Sequence, residues 1–197
     1  MVPDQWLIAL AGQLASIVDQ QIPGVIVECG AWRGGTGLFM ARVLRDLRDE
    51  RPVYLYDSFE GLPPPAPIDG GAALHWATTL DGSSYHNNCT ASFDELTAVI
   101  AHARLTGYVF PVKGWFEATL PQVHHESIAL LRIDADWYES VRTCLTCLYD
   151  RVAPGGYVVI DDYDTWDGCA VAVHEFLGQR RLSHRLQRAG CAFFRKT

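Results

Sequence analysis

Apolar and polar residues alternate along the chain in two rhythms. Between residues 4 and 20, Trp6, Leu7, Leu10, Leu14, Ile17 and Val18 recur on one helical face, which predicts an amphipathic helix stopped by Pro23-Gly24. Val25-Ile26-Val27 is a short apolar run that predicts a buried strand. A glycine-rich turn follows, Glu28-Cys29-Gly30-Ala31-Trp32-Arg33-Gly34-Gly35, and helical spacing resumes from Thr36 to Leu47. The cycle then repeats. Strands are predicted over Val53–Tyr56, Val109–Val112, Ile128–Ile133 and Tyr157–Ile160. Helices are predicted over Phe93–Ala103, with Ser92 as N-cap, and over Glu139–Tyr149 and Cys169–Leu177. Leu182–Leu186 and Ala192–Phe194 predict a closing hairpin. Residues 61–91 lack periodicity and are rich in Pro, Gly, Asp, Ser and Asn. A stretch of that length predicts a lid or acceptor loop, with His75, Trp76, Tyr85 and His86 as candidate contacts.

Strands alternating with helices predict one α/β domain over residues 1–197, with residues 1–23 as an N-terminal helix and a mostly parallel sheet covered on both faces. Ligands of such sheets bind at the carboxyl ends of the strands. The polar residues gather there: Glu28 with Gly30, Asp57, Lys113 with Gly114, Asp134, and Asp161 with Asp162. The glycine turn lets backbone approach a ligand closely. Its spacing is not GxGxxG, which weakens a dinucleotide reading. Asp57 suits a pair of ribose hydroxyls. Neighbouring strands lie about 4.8 Å apart. If the strands ending at Asp134 and Asp161 are neighbours, Asp134, Asp161 and Asp162 converge, and three carboxylates repel unless a cation lies between them. Oxygen ligands favour Mg²⁺, with Mn²⁺ or Ca²⁺ as alternatives; no His or Cys in these motifs speaks for zinc.

Charge and composition narrow the partners. The net charge of −7 argues against a nucleic-acid partner. No apolar run reaches the roughly 20 residues of a membrane span, and the N-terminus lacks the basic region of a secretory leader. The expectation is a cytoplasmic protein with no membrane partner. Its 6 cysteines are scattered through apolar elements and read as reduced thiols. Cys144-x-x-Cys147 falls on a helical stripe with Val141, Leu145 and Leu148, which predicts core packing over redox or zinc chemistry.

The segments VECGAWRGG (27–35), YDSFEGLP (56–63), VKGWFEATLP (112–121), LRIDADWYES (131–140), LYDRVAPGGYVVIDDY (148–163) and GCAVAVHEF (168–176) together resemble the macrocin O-methyltransferase (TylF) family. The resemblance implies a class I, Rossmann-like fold that binds S-adenosylmethionine (SAM), with a seven-stranded, mostly parallel sheet and a C-terminal antiparallel hairpin. It implies metal-dependent transfer of the SAM methyl group to a hydroxyl of a small molecule, above all a sugar of a glycosylated natural product in antibiotic biosynthesis. A catechol-type acceptor is the alternative within methyltransferases, and a nicotinamide-dependent oxidoreductase the alternative outside them.

By the same resemblance Asp134, Asp161 and Asp162 are the metal ligands and Asp136 the general base. Glu28, Gly30, Ala31, Trp32 and Gly35 border the methionine part of SAM, Asp57 and Ser58 its ribose, and Gly114, Trp115 and Phe116 its adenine, with Asp134 also at the cofactor. Trp137, Tyr138, Tyr163 and Trp166 are candidate acceptor contacts. Family members carry a longer segment ahead of the first strand, so the acceptor pocket and the contacts of an expected homodimer are where this chain departs from the pattern. His174 stands where an acidic residue is common in the family.

Overall fold

The computed structural model describes residues 2–78 and 88–197. The strands are β1 (Val25–Cys29), β2 (Val53–Asp57), β3 (Val109–Lys113), β4 (Ile128–Ile133), β5 (Val152–Ile160), β6 (Gln187–Ala189) and β7 (Cys191–Arg195). The helices are α1 (Asp4–Asp19), α2 (Gly35–Asp46), α3 (Gly70–Thr78), α4 (Phe93–His102), α5 (Phe116–Thr119), α6 (Tyr138–Leu148) and α7 (Asp167–Gln179). The strands form a 7-stranded sheet in the order β3-β2-β1-β4-β5-β7-β6. β1 to β5 run parallel, and β7 pairs antiparallel with both β5 and β6.

Side chains alternate across a strand, so each strand feeds two cores. Ile26, Leu55, Leu130 and Val159 pack with α1, α2 and α4 on one face. Val27, Leu131, Val158 and Ile160 pack with α6 and α7 on the other. Helix α4 begins as its sequence predicts, with the Ser92 hydroxyl accepting the Glu95 N–H at 3.2 Å. Cys144 lies in the core of the second face.

Three departures from the sequence expectation have physical reasons. β5 starts five residues earlier than Tyr157, because the Pro154-Gly155-Gly156 step sits inside a register shift against β4 instead of ending the strand. The hairpin pairs Gln187–Ala189 with β7, and Leu182–Leu186 forms no strand. Leu182 and Leu186 instead pack against the core, which explains the apolar pattern that suggested a strand. Part of the stretch expected to lack structure is helix α3, preceded by a 3-10 turn over Pro67–Asp69. The Asp69 carboxylate accepts the N–H of Tyr138 and of Ala66, both at 2.7 Å, and Ala73 and Trp76 are buried against Trp137. Tertiary contacts make this helix, so no local periodicity announces it. Tyr85 and His86 lie outside the described residues.

Candidate active site

The strand order reverses between β1 and β4, and a crevice opens at that switch point beyond the carboxyl ends. The ladder continues one residue past each strand there. Gly30 N–H donates to the Tyr56 carbonyl (2.8 Å), Asp134 N–H to Cys29 (2.8 Å), Asp161 N–H to Ile133 (2.9 Å) and Gly114 N–H to Asp57 (2.9 Å). The first polar residue after the strand is therefore held as rigidly as the sheet. Gly30 is obligatory in this packing: with φ at 91°, a Cβ would lie 1.7 Å from the Asp134 carbonyl oxygen.

Asp57 builds one side of the crevice. Its Oδ2 accepts the Trp32 N–H at 2.7 Å and its Oδ1 the Phe59 N–H at 2.6 Å, pinning the glycine turn to β2. Burial raises the Asp57 pKa, and these backbone donors work against that rise. A cavity of about 170 Å³ opens beside it, lined among others by Ser58, Leu62, Cys89, Trp115, Phe116 and Asp136. A second, of about 500 Å³, lies toward α1 and is lined by Trp6, Glu28, Ala31, Gly35, Thr36 and Phe39 among others. Gly30, Trp32 and Asp134 border both cavities.

The acidic side is organised by a residue that pattern reading passed over. Arg132 is fully buried, and its guanidinium donates to Glu28 Oε1 and Asp134 Oδ2 at 2.8 Å each and to Asp161 Oδ1 at 2.5 Å. Burial works against its charge, but the carboxylates of Asp134, Asp161 and Glu28 outweigh that and raise its pKa. Glu28 rises to about 8, chiefly through burial, with Arg132 opposing; its Oε2 has no hydrogen-bond partner.

The expected convergence was of Asp134, Asp161 and Asp162. The carboxylate oxygens that lie within 4.8 Å of one another belong to Asp134, Asp136 and Asp162. The reason is strand parity. Consecutive residues leaving a strand point to opposite faces, so Asp161 and Asp162 diverge. Asp161 turns to the Arg132 side, where Cys191 Sγ also donates to its Oδ1 at 3.0 Å. Asp136 comes in from the next turn, at a φ of 54°, with its N–H on Asp162 Oδ2 at 3.1 Å.

Burial, then the negative neighbours, pushes Asp136 up to about 7 and Asp162 well above the usual carboxylate range. Asp134 rises to about 6, chiefly through burial, with Arg132 opposing. The Asp134 side chain is 32% accessible and lines the crevice cavity, which lessens the effect of burial on it. Carboxylate oxygens this close repel one another once ionised, and a hard divalent cation between them would relieve that repulsion. The unpartnered Glu28 Oε2 and the paired backbone donors on Asp57 likewise suit a ligand with a cationic amino group and a ribose.

Of the aromatic acceptor candidates, none lines either cavity. Trp137 is 2% exposed, and its indole N–H donates to the Pro63 carbonyl at 2.8 Å. Tyr138 pairs with Glu175, and Tyr163 with His174 Nε2, each at 2.7 Å, which gives His174 a structural partner. Trp166 donates its indole N–H to Asp136 Oδ1 at 3.0 Å. Sequence reading missed the hub role of Arg132 and the cavity positions of Leu62, Cys89 and Ser140. The signal for Arg132 was present: a charged residue inside the apolar run Leu130-Leu131-Arg132-Ile133 of a doubly covered sheet has to be paired.

The sheet order, the crevice and the antiparallel end define the fold of class I SAM-dependent O-methyltransferases. The O-methyltransferase NovP superposes with a TM-score of 0.87 at 29% identity, covering 98% of this chain and 80% of that one. The calicheamicin methyltransferase CalS11 has the same fold, with a TM-score of 0.76 at 23% identity, covering 96% of this chain and 77% of its own. The profile of the macrocin O-methyltransferase (TylF) family matches residues 1–196, and the chain belongs to that family.

Its curated relatives include the 8-demethyl-8-(2,3-dimethoxy-alpha-L-rhamnosyl)-tetracenomycin-C 4'-O-methyltransferase of Streptomyces olivaceus, 37% identical over 85% of this chain and 63% of that one. The demethyldecarbamoylnovobiocin O-methyltransferase of Streptomyces niveus is 36% identical over 86% of this chain and 64% of its own. The chain thus spans just under two thirds of the length of these relatives. Among the described residues, no helix is long and apolar enough to cross a membrane.

Proposed function

We propose that this chain transfers the methyl group of SAM to a hydroxyl of a small molecule, a sugar of a glycosylated natural product, with the help of a divalent cation, Mg²⁺ first. One observation carries the reading: the ribose-type carboxylate Asp57 and the cluster Asp134, Asp136 and Asp162 face the same crevice, with Asp57, Asp134 and Asp136 lining one cavity. The names of the relatives support the acceptor class, since the tetracenomycin enzyme is a 4'-O-methyltransferase of a rhamnosyl compound.

Asp57 and Ser58 hold the ribose, Trp115 and Phe116 the adenine, and Glu28 with the turn Gly30, Ala31, Trp32 and Gly35 the methionine part. Asp134 and Asp162 hold the cation. Asp161, whose Oδ1 is held by Arg132 and Cys191 away from that cluster, becomes the third holder only if its carboxylate turns from the Arg132 side toward Asp134 and Asp162. When bound, the cation supplies Lewis acidity to a hydroxyl presented to it.

Asp136 receives the hydroxyl proton. With its pKa near 7 and a hydroxyl near that of water, 15.7, the gap is roughly 9 units, or about 12 kcal/mol. A carboxylate does not close that gap alone. Proton transfer therefore runs together with attack on the methyl group, in a crevice that holds the oxygen in line about 3 Å away.

The test is transfer of labelled methyl from SAM to a panel of rhamnosides, other deoxysugar glycosides and catechols, with Mg²⁺ and with chelator. Transfer to glycosides that stops on chelation is expected. Transfer to catechols alone would move the acceptor class, and transfer indifferent to chelation would remove the cation.

A further inference from the structure

The backbone of Asp136 is fixed twice, by its N–H on Asp162 Oδ2 (3.1 Å) and by the tight turn in which Trp137 N–H reaches the Ala135 carbonyl (2.6 Å). Neither contact orients its side chain. That task falls to Trp166, whose indole N–H meets Oδ1 at 3.0 Å. Trp166 is itself held firmly. Its backbone N–H donates to the Asp162 carbonyl at 3.0 Å. Its ring lies edge-on to Trp137 with centroids 5.1 Å apart, and Trp137 in turn lies edge-on to Trp76 at 5.6 Å. Packing alone asks only for an aromatic ring at this place. The bond to Asp136 asks for a donor, and an indole N–H is a donor that cannot also accept.

We propose that Trp166 is a positioning residue of the site: its indole N–H occupies Oδ1 of Asp136, so that Oδ2 is the oxygen that takes the proton of the acceptor hydroxyl. The inference rests on the methyl-transfer reading above, and it turns a residue expected to touch the acceptor into one that acts through the base.

Two measurements test it. The first needs no acceptor. In a ¹H–¹⁵N spectrum of the whole protein, whose sequence has 6 tryptophans, the Trp166 indole resonance is assigned by its disappearance in Trp166→Phe. Asp136→Asn, which tolerates the left-handed backbone, is expected to move that resonance upfield as a charged acceptor becomes neutral.

The second is kinetic. Trp166→Phe keeps an aromatic ring and loses the donor, and kcat is expected to fall about 10- to 100-fold while the SAM dissociation constant and the acceptor KM change by less than about threefold. The double variant with Asp136→Asn is expected to be no slower than Asp136→Asn alone, because the two losses are one. An indole resonance unmoved by Asp136→Asn, an unchanged kcat in Trp166→Phe, or losses that add in the double variant would each overturn the proposal. Should the wild-type protein methylate no acceptor, the methyl-transfer reading falls, while the spectrum still decides whether Trp166 holds Asp136.

Discussion

The two sides of the crevice are built by opposite means. On the side proposed for the cofactor, one carboxylate, Asp57, gathers backbone donors from the glycine turn and from Phe59, and the shape of the site is the shape of the main chain. On the acidic side the main chain only delivers side chains, and Arg132 sorts them. It draws Glu28, Asp134 and Asp161 to one face and leaves Asp136 and Asp162 to meet Asp134 on the other. A backbone-built site is robust to most side-chain changes and sensitive to glycines. A side-chain-built site depends on a balance of charges. Removing a single cation redistributes several carboxylates at once.

That contrast can be broken most sharply at Arg132. Arg132→Met leaves the buried Glu28 and the part-buried Asp134 and Asp161 without a counter-charge, and chemical denaturation should report a loss of about 3–5 kcal/mol. A loss below about 1 kcal/mol would mean that the acids do not depend on it. Asp134→Asn should come next, with methyl transfer reduced about 10³-fold and SAM affinity, read by calorimetry, within a few-fold of the parent. Equal losses in both would merge the two sides into one site. Asp57→Asn should show the reverse: SAM binding weakened by about 1.5–3 kcal/mol, the range for hydrogen bonds to a charged group, with Mn²⁺ affinity unchanged.

A smaller effect is expected from pH. Glu28, Asp134 and Asp136 have pKa values raised in the folded protein to about 8, 6 and 7, from ordinary values of 4.5, 3.8 and 3.8. The folded cation-free chain therefore binds more protons than the unfolded chain between about pH 4 and 8, and these groups stabilise it at low pH and lose that contribution as pH rises through the window. Mg²⁺ should consequently raise the melting temperature more at pH 8 than at pH 5, and an equal rise at both would detach the cation from these acids. The smallest effect belongs to Gly35→Ala. No atom lies within 4 Å of the added methyl, so stability should hold or gain up to about 1 kcal/mol, while SAM affinity is expected to fall because Gly35 lines the cavity proposed for the cofactor. Unchanged affinity would place the cofactor away from that turn.

Much of this was legible before any coordinates. The helix and strand rhythms located β1 to β4 closely, because a doubly covered parallel sheet demands continuous apolar runs. Asp57 and the glycine turn were legible as candidates because ligands of such sheets bind at the strand ends and glycine lets the backbone approach them closely. Helix α3 was not, since distant residues hold it in place: Asp69, just ahead of it, accepts the N–H of Tyr138, and its Trp76 packs on Trp137. The cluster of acids was read from proximity along the chain, whereas parity decides which side each acid takes. That parity was in the sequence too: Glu28, Arg132, Asp134 and Asp161 all fall on the phase of Ile26, Leu130 and Val159.

The sequence by itself thus determined the sheet, the strand ends and the chemical types gathered there, because hydrophobic period and turn residues act over a few positions. The tertiary structure decided which carboxylates meet, which one Arg132 holds back and what orients Asp136. Those are contests between charges brought together from distant parts of the chain, and burial sets their strength.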